Sequence, residues 1–278
     1  MEPLQAAIQK ARENRLKAEK AAEPAPDPVH ENPEPAEEAS GPELQSPWAA
    51  LKAFDPNARI LKRHRIVAAE TGNDAAPYDM LRTRILQLIR KNGWKRILIT
   101  SPDVGCGKTT ISVNLAASLA RNPEIRTMLF DLDLRQPMIG KVLGLRRSNS
   151  LHQVLDGSIA FTDHAVTMGE NLIVSSNLGP ARNPSELLQS DHTAEILDQV
   201  EQTYQPDIML FDMPPLSGSD DTYGFLRRVD CCILVAAAES TTIEQIDTSE
   251  QEVAAEKPVL GVVLNKCRYS ENQYGYGY

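Results

Sequence analysis

Short apolar runs alternate along the chain with longer segments of helical periodicity. The apolar runs are RILIT (96–100), TMLFD (127–131), DIMLFD (207–212), CCILVAA (231–237) and VLGVVLN (259–265). Runs that are this short and apolar throughout are typical of strands covered on both faces. Between them, apolar residues recur at helical spacing in the segments 78–92, 108–122, 185–204 and 242–256. The alternation predicts an α/β fold in which helices flank a mainly parallel sheet.

The two ends of the chain lack this alternation. Residues 1–22 predict a short charged helix with its few apolar residues on one face. Residues 23–57 predict a disordered linker, because 23–47 is rich in Pro and Glu and contains no Lys or Arg. The globular domain is therefore expected to span residues 58–265, and residues 266–278 form a C-terminal tail.

The tail holds four of the seven tyrosines in a chain that is only 5% aromatic: Tyr269, Tyr274, Tyr276 and Tyr278. Their neighbours are mostly polar residues or glycine, whereas buried aromatic residues recur with aliphatic neighbours at helix or strand spacing. Burial is therefore not expected. From the residues alone, two interpretations stay open. The tail is an aromatic anchor for a partner, or its phenolic hydroxyls accept a phosphoryl group.

Charge and cysteine content narrow the class of protein. The net charge of −9 at pH 7 disfavours binding to nucleic acid. No apolar run approaches the roughly 20 residues that span a bilayer, so attachment to a membrane is expected only through a partner. The four cysteines form no CxxC pair, as expected for reduced thiols in a cytoplasmic protein.

A phosphate-binding pattern follows the first of these apolar runs. SPDVGCGKTT (101–110) matches G-x-x-x-x-G-K-[ST] at Gly107, Lys108 and Thr109, with Pro102 in place of the first glycine. Glycines allow the backbone to approach a polyphosphate, and the following helix offers free N–H groups. The residues expected to bind the nucleotide are Gly105, Cys106, Gly107, Lys108, Thr109 and Thr110. For Cys106, a small loop residue and a redox-sensitive thiolate are the two alternatives.

Carboxylates follow two of the other predicted strands. Asp131 and Asp133 lie at and just after the end of TMLFD, and Asp212 ends DIMLFD. Ligands of parallel sheets bind beyond the carboxyl ends of the strands, so these side chains are expected near the phosphate loop. Mg²⁺ prefers oxygen ligands. The sequence therefore predicts an Mg²⁺ site formed by Thr109, Asp131 and Asp212.

Together, SPDVGCGKTT, MLFDLDLRQP and IMLFDMPPL resemble the Walker A, A′ and B boxes of bacterial tyrosine kinases of the CpsD/CapB group, which control capsule and exopolysaccharide synthesis. The resemblance covers roughly residues 76–278. It implies a three-layer P-loop NTPase fold and an ATP- and Mg²⁺-dependent tyrosine autokinase that phosphorylates the tyrosine-rich tail. Asp103 stands where the related MinD and ParA proteins carry lysine, which argues against those two groups.

The resemblance also implies roles for individual residues. Lys108 contacts the phosphates, and Asp131 positions or deprotonates the incoming tyrosine. Asp133 and Asp212 support Mg²⁺ through its water shell. Asn265 recognises adenine, and the four tail tyrosines accept phosphate. Arg135 completes the A′ box as a structural residue.

The same resemblance implies partners and a location. A transmembrane polysaccharide co-polymerase is expected to act in trans as activator, which places the protein at the inner face of the cell membrane. The group forms homo-oligomers through an E-x-x-R-x-x-R motif. Here that motif aligns with Ala76, Asp79 and Arg82, so only its last arginine is present.

Two other functions use the same nucleotide site. One is a nucleotide-switched ATPase that organises a partner without phosphorylating protein. The other is a nucleotide-binding scaffold of a polysaccharide export assembly. Neither needs a cluster of tyrosines, so the tail favours the kinase.

Overall fold

A computed structural model of the chain describes residues 46–146, 149–218 and 220–268. In chain order its strands are β1 (Lys52–Ala53), β2 (Arg96–Thr100), β3 (Thr127–Asp131), β4 (Val166–Met168), β5 (Leu172–Ser175), β6 (Ile208–Asp212), β7 (Cys231–Ala237) and β8 (Val259–Asn265). They form one sheet in the order β1-β4-β5-β3-β6-β2-β7-β8. Every neighbouring pair is parallel except β4 and β5, which confirms the predicted, mainly parallel sheet.

Helices cover both faces of this sheet. They are α1 (Ala58–Arg63), α2 (Ala76–Asn92), α3 (Lys108–Ala120), α4 (Ile139–Leu143), α5 (Leu151–Leu155), α6 (Phe161–His164), α7 (Pro184–Gln189), α8 (Asp191–Tyr204), α9 (Asp221–Phe225) and α10 (Ile243–Ala254). Successive residues of a strand point to opposite faces. Leu98 of β2 accordingly belongs to one hydrophobic cluster, and Ile97 and Ile99 belong to the other. The predicted three-layer architecture is confirmed.

The segment 185–204 forms two helices instead of the continuous one that its periodicity predicts. Ser190 is extended between them, and its hydroxyl accepts a hydrogen bond from Thr193 N at 3.1 Å. Serine is favoured at this capping position because it satisfies an N–H group that has no partner inside the helix. The break separates α7, near the carboxyl edge of the sheet, from the longer α8.

The described fold begins at residue 46, before the predicted domain boundary at residue 58. Trp48 is buried, donates its indole N–H to Tyr204 O at 2.7 Å and meets the Tyr204 ring edge to face. Leu51 is also buried, and β1 pairs with β4. The prediction of a linker up to residue 57 is therefore wrong for 46–57, because the Pro- and Glu-rich composition on which it rested ends at residue 47. The predicted helix 1–22 and the rest of the linker lie outside the described residues.

The sequence predicts no membrane-spanning segment, and the helices of the described ranges can be compared with that prediction. No helix within them combines the length and the apolar character that crossing a bilayer requires.

Candidate functional site

The turn from β2 into α3 has the backbone that a phosphate loop needs. Gly105 and Gly107 adopt φ values of 77° and 92°, a left-handed conformation that glycine takes without steric cost. A Cβ on Gly107 would also lie 2.2 Å from Asn265 Nδ2. Since α3 begins at Lys108, the first N–H groups of this helix lack intrahelical acceptors and are available to an anion.

Asp212 receives two hydroxyl hydrogen bonds from the first turns of α3. Thr109 Oγ1 donates to Asp212 Oδ2 at 2.7 Å, and Ser112 Oγ donates to Oδ1 at 2.9 Å. Burial raises the pKa of Asp212 to about 6, although both hydroxyls and the charge of Lys108 favour its ionised form. Lys108 itself is only 8% exposed. The predicted Lys108, Thr109 and Asp212 are therefore brought together.

Asp131 lies directly beside Asp212, because the two residues are register partners on the parallel strands β3 and β6. Its Oδ2 accepts a hydrogen bond from Ile139 N, at the start of α4, at 3.0 Å. Its Oδ1 is buried and has no hydrogen-bond partner among the described residues. Burial, then the neighbouring charge of Asp212, raises the pKa of Asp131 well above its ordinary value. Two adjacent buried carboxyls with a free oxygen are the expected surroundings for a cation.

The A′ loop, residues 132–138, places Asp133 and Arg135 differently. Asp133 is half-buried, accepts a hydrogen bond from Gln136 N at 2.9 Å, and has a pKa raised mainly by burial. Arg135 pairs with the buried carboxylate of Asp221. Arg135 is thus engaged within the protein, as predicted for a structural residue.

The donor set suits Mg²⁺ coordinated in part by water and phosphate. Its candidate ligands are all oxygens, from Thr109, Asp131 and Asp212, and Mg²⁺ commonly keeps several waters besides one or two carboxylates. Across the described ranges, no group of three His, Cys, Asp or Glu residues could hold a metal by side chains alone. At this edge of the sheet, the described side chains alone therefore do not complete a metal site.

Asn265 ends β8 next to the phosphate loop. Its Nδ2 donates to Cys106 O at 2.9 Å, and its Oδ1 accepts from Lys266 N at 2.8 Å. These contacts hold Asn265 against the phosphate loop and do not test the prediction that it recognises adenine. The four tail tyrosines lie outside the described residues, which end at Arg268, shortly after this contact.

Cys106 fills the loop as a small buried residue. It is 2% exposed, and its Sγ lies 3.5 Å from Thr241 Oγ1. This burial favours the packing alternative over the redox-sensitive thiolate. Cys231 and Cys232 of β7 are buried as well, and burial raises the pKa of both thiols.

The remnant of the upstream oligomerisation motif is engaged inside the chain. Asp79 accepts a hydrogen bond from Ser118 Oγ at 2.7 Å and forms ion pairs with Arg82 and Arg121. Arg82 also donates to Ser118 O at 2.8 Å. These contacts fasten α2 to α3.

Sequence patterns did not identify Ser112 or Asp221 as residues of the site. Each meets its partner from a distant part of the chain, so no local spacing marks it. Ser185, which contacts Arg135 at 3.1 Å, was likewise not predicted.

Comparisons with known proteins identify relatives of this chain. The CobQ/CobB/MinD/ParA nucleotide binding domain family matches residues 97–275. Tyrosine-protein kinase CpsD of Streptococcus pneumoniae serotype 4 is 34% identical over 185 residues, covering 65% of this chain and 80% of CpsD. Putative tyrosine-protein kinase EpsB of Ralstonia solanacearum is 32% identical over 200 residues, covering 71% of this chain. This chain spans only 26% of the length of EpsB.

Solved kinase domains share the fold. The kinase domain of VpsO is 27% identical, with a TM-score of 0.64, over 74% of this chain and 98% of that domain. The kinase domain of the Escherichia coli tyrosine kinase ETK, at 24% identity, has a TM-score of 0.65 over 74% of this chain and 80% of that one.

Proposed function

This chain belongs to the CobQ/CobB/MinD/ParA nucleotide-binding family and, within it, to the CpsD/CapB group of bacterial tyrosine kinases, and from that premise we propose that it is an ATP-dependent protein-tyrosine autokinase. Its acceptors are Tyr269, Tyr274, Tyr276 and Tyr278 of the tail, and it regulates capsule or exopolysaccharide synthesis and export. Nucleotide binding is the property implied by the family as a whole. The observation that carries the proposal is the pair of adjacent buried carboxyls, Asp131 and Asp212, at the edge where Lys108 and Thr109 lie.

Phosphoryl transfer depends chiefly on positioning and on neutralising charge. In this proposal, the loop from Gly105 to Thr110 and the N-terminus of α3 hold the triphosphate, and Lys108 offsets charge at its β- and γ-phosphates. Thr109 and Asp212, with Asp131, would hold Mg²⁺, which would supply positive charge to offset that of the phosphates. Asn265 binds the adenine after its Nδ2 has released the carbonyl oxygen of Cys106.

Asp131 is the candidate to accept the proton of the incoming tyrosine. A phenol has a pKa near 10, so it arrives protonated at neutral pH. In this role the carboxylate of Asp131, whose ionised form the neighbouring cation would stabilise, accepts the phenolic hydrogen bond and then the proton. As the proton moves, the phenolic oxygen forms a bond to the γ-phosphorus, and the bond from that phosphorus to the oxygen of ADP breaks. Asp133, nearer to solvent, adds negative charge that favours the metal.

The test is mass spectrometry of the C-terminal peptide after incubation of the purified chain with ATP and Mg²⁺. Wild type is expected to gain phosphotyrosine, and Lys108→Met and Asp131→Asn are expected to lose it. Lys95→Met is a matched control, because Lys95 is exposed and pairs with Glu201 away from the site. Phosphotyrosine in Lys108→Met protein would refute the assignment. ATP hydrolysis by wild type without phosphotyrosine would favour the nucleotide-switched ATPase, and nucleotide binding with neither hydrolysis nor phosphotyrosine would favour the non-catalytic scaffold.

A mixing experiment separates phosphorylation within one chain from phosphorylation between chains. Lys108→Met protein supplies an intact tail without activity, and a chain truncated after Arg268 supplies activity without a tail. Phosphate on the Lys108→Met tail means transfer between chains and favours a homo-oligomer. An unlabelled tail means that each chain phosphorylates itself.

The proposed activator is a transmembrane polysaccharide co-polymerase acting in trans, which places the kinase peripherally at the inner face of the membrane. The relationship to the CpsD/CapB group supports this partner. The cytoplasmic segment of a candidate co-polymerase is expected to raise the rate of tail phosphorylation. An unchanged rate with that segment at saturation excludes it as the activator.

A further inference from the structure

Asp221 is a buried carboxylate that is bonded to the A′ loop. It is 0% exposed and lies at the start of α9, on the segment that follows β6. Arg135 Nε donates to its Oδ2 at 2.7 Å, and Arg135 Nη2 donates to its Oδ1 at 3.0 Å. A guanidinium paired through two parallel hydrogen bonds has a fixed orientation. The loop that carries Asp133 is therefore fastened to the segment that follows Asp212.

Ser185 joins a third segment to the same carboxylate. Arg135 Nη2 donates to Ser185 Oγ at 3.1 Å, and that hydroxyl reaches the carboxylates of Asp221 and, at 2.8 Å, Asp220. The single hydroxyl proton serves one of these carboxylates at a time. The A′ loop, the start of α7 and the segment after β6 thus meet at Asp221.

The link between Arg135 and Asp221 restrains the two aspartates that precede it. Arg135 lies two residues after Asp133, on the A′ loop, which follows Asp131 at the end of β3. The same loop is also held by hydrogen bonds from Leu132 N to Asp212 O at 2.9 Å and from Ala181 N to Leu134 O at 2.8 Å, and by the burial of both leucines. Only one partner of this ion pair is buried, since the Arg135 side chain is 46% exposed, and such a pair adds little net stability because solvent screens the attraction and desolvation of Asp221 offsets it. Its bidentate geometry instead fixes where the loop lies.

We propose that Asp221 is a positioning residue for phosphoryl transfer, which through Arg135 holds Asp131 and Asp133 in the reacting arrangement. Asp221 itself touches neither ATP nor tyrosine. The inference rests on the proposed kinase function. Because the carboxylate of Asp221 is bonded to Arg135 and Ser185, its loss is expected to change turnover much more than nucleotide affinity.

The test compares Asp221→Asn with wild type in two assays on the full chain. Asparagine keeps the size of the side chain and removes the charge that holds Arg135. A displacement of reacting groups by about 1 Å costs on the order of 100-fold in rate. We expect the kcat of tail phosphorylation to fall about 10- to 100-fold, and the Kd of fluorescent ADP to stay within about threefold.

A double-mutant cycle shows whether Asp221 acts through Arg135. Arg135→Gln alone is expected to match Asp221→Asn in kcat, and the double variant is expected to be no slower than either. Arg96→Gln is the matched control, since Arg96 binds Asp198 and Glu201 at the opposite edge of the sheet. It is expected to lower the melting temperature and leave kcat unchanged.

Arg135→Lys decides the matter if Asp221→Asn does not fold. Lysine keeps the ion pair but loses the second hydrogen bond, so a several-fold loss of kcat with unchanged Kd is expected. Wild-type kcat in Asp221→Asn or Arg135→Lys, additive losses in the double variant, or equal losses of kcat and affinity would overturn the inference. If wild type itself yields no phosphotyrosine, the proposed function fails instead, so the two failures are distinguishable.

Discussion

Replacing Asp212 with asparagine is expected to stabilise the nucleotide-free protein at neutral pH. Burial raises the pKa of Asp212 from 3.8 to about 6, even with Thr109 and Ser112 donating to it. The folded state therefore binds the proton more tightly than the unfolded state. The contribution of Asp212 to stability is present below about pH 4 and is lost as the pH rises through about 6.

The magnitude follows from the difference between the two pKa values. About two pKa units correspond to about 3 kcal/mol of destabilisation at pH 7.5, which falls below about 1 kcal/mol at pH 4, where the folded carboxyl is protonated and the unfolded one is about half ionised. Asparagine does not ionise; its carbonyl oxygen accepts a hydrogen bond from one hydroxyl, and its NH2 group donates to the other hydroxyl, which can turn to accept. The gain of about 3 kcal/mol at pH 7.5 corresponds to about 6–12 °C in Tm for a domain of this size.

The assay is urea unfolding of wild type and Asp212→Asn by circular dichroism at pH 4, 5.5 and 7.5, with EDTA and without nucleotide. Asp198→Asn is the control, because that carboxylate is exposed and its ion pair with Arg96 contributes at most about 1 kcal/mol. An advantage of Asp212→Asn that is absent at pH 7.5, or that grows on acidification, would refute the reasoning. The same variant is expected to lose kinase activity, so stability and activity move in opposite directions.

Three further outcomes are expected. Trp48→Ala should lower the free energy of unfolding by about 3–5 kcal/mol, because a buried ring is removed and Tyr204 O loses its donor; a loss below about 1 kcal/mol would show that residues 46–51 do not belong to the fold. Asn114→Ala should lower the free energy of unfolding by about 2–4 kcal/mol, because the amide of this one side chain makes hydrogen bonds to four backbone groups at 2.8–3.0 Å. An unchanged free energy in chemical denaturation would contradict those contacts. A thiol reagent should label exposed Cys267 quickly in the native protein and buried Cys106 slowly, and equal rates in peptide mapping would revive the redox interpretation.

Strands with strong local patterns were predictable, and those that depend on distant partners were not. β3, β6 and β7 are apolar throughout because helices cover both faces, so their sequence reveals them. β4 and β5 have only three and four residues, too few to establish a period. Trp48 was missed for a related reason, since its burial depends on Tyr204, which is far away in the chain.

The residues of the candidate site likewise fall into those that a local pattern predicts and those that depend on a distant partner. Lys108 and Thr109 follow from the spacing of the phosphate-loop pattern, and Asp131 and Asp212 follow from their position at strand ends. Ser112 was not predicted, because it contacts a carboxylate 100 residues away. The partner of Arg135 lies 86 residues along the chain. No pattern within a short window encodes such a contact, which exists only once the strands are side by side.

The central position of β2 has a consequence for synthesis on the ribosome. Leu98 of this strand pairs with Phe211 of β6 and with Cys232 of β7, about 110 and 130 residues downstream. At about 5–20 residues per second, the strand waits on the order of ten seconds before either neighbour has been made. During that interval its apolar side chains and unpaired backbone are open to wrong partners. Nascent chains halted before β6 should therefore aggregate, and chains extended past β7 should aggregate less.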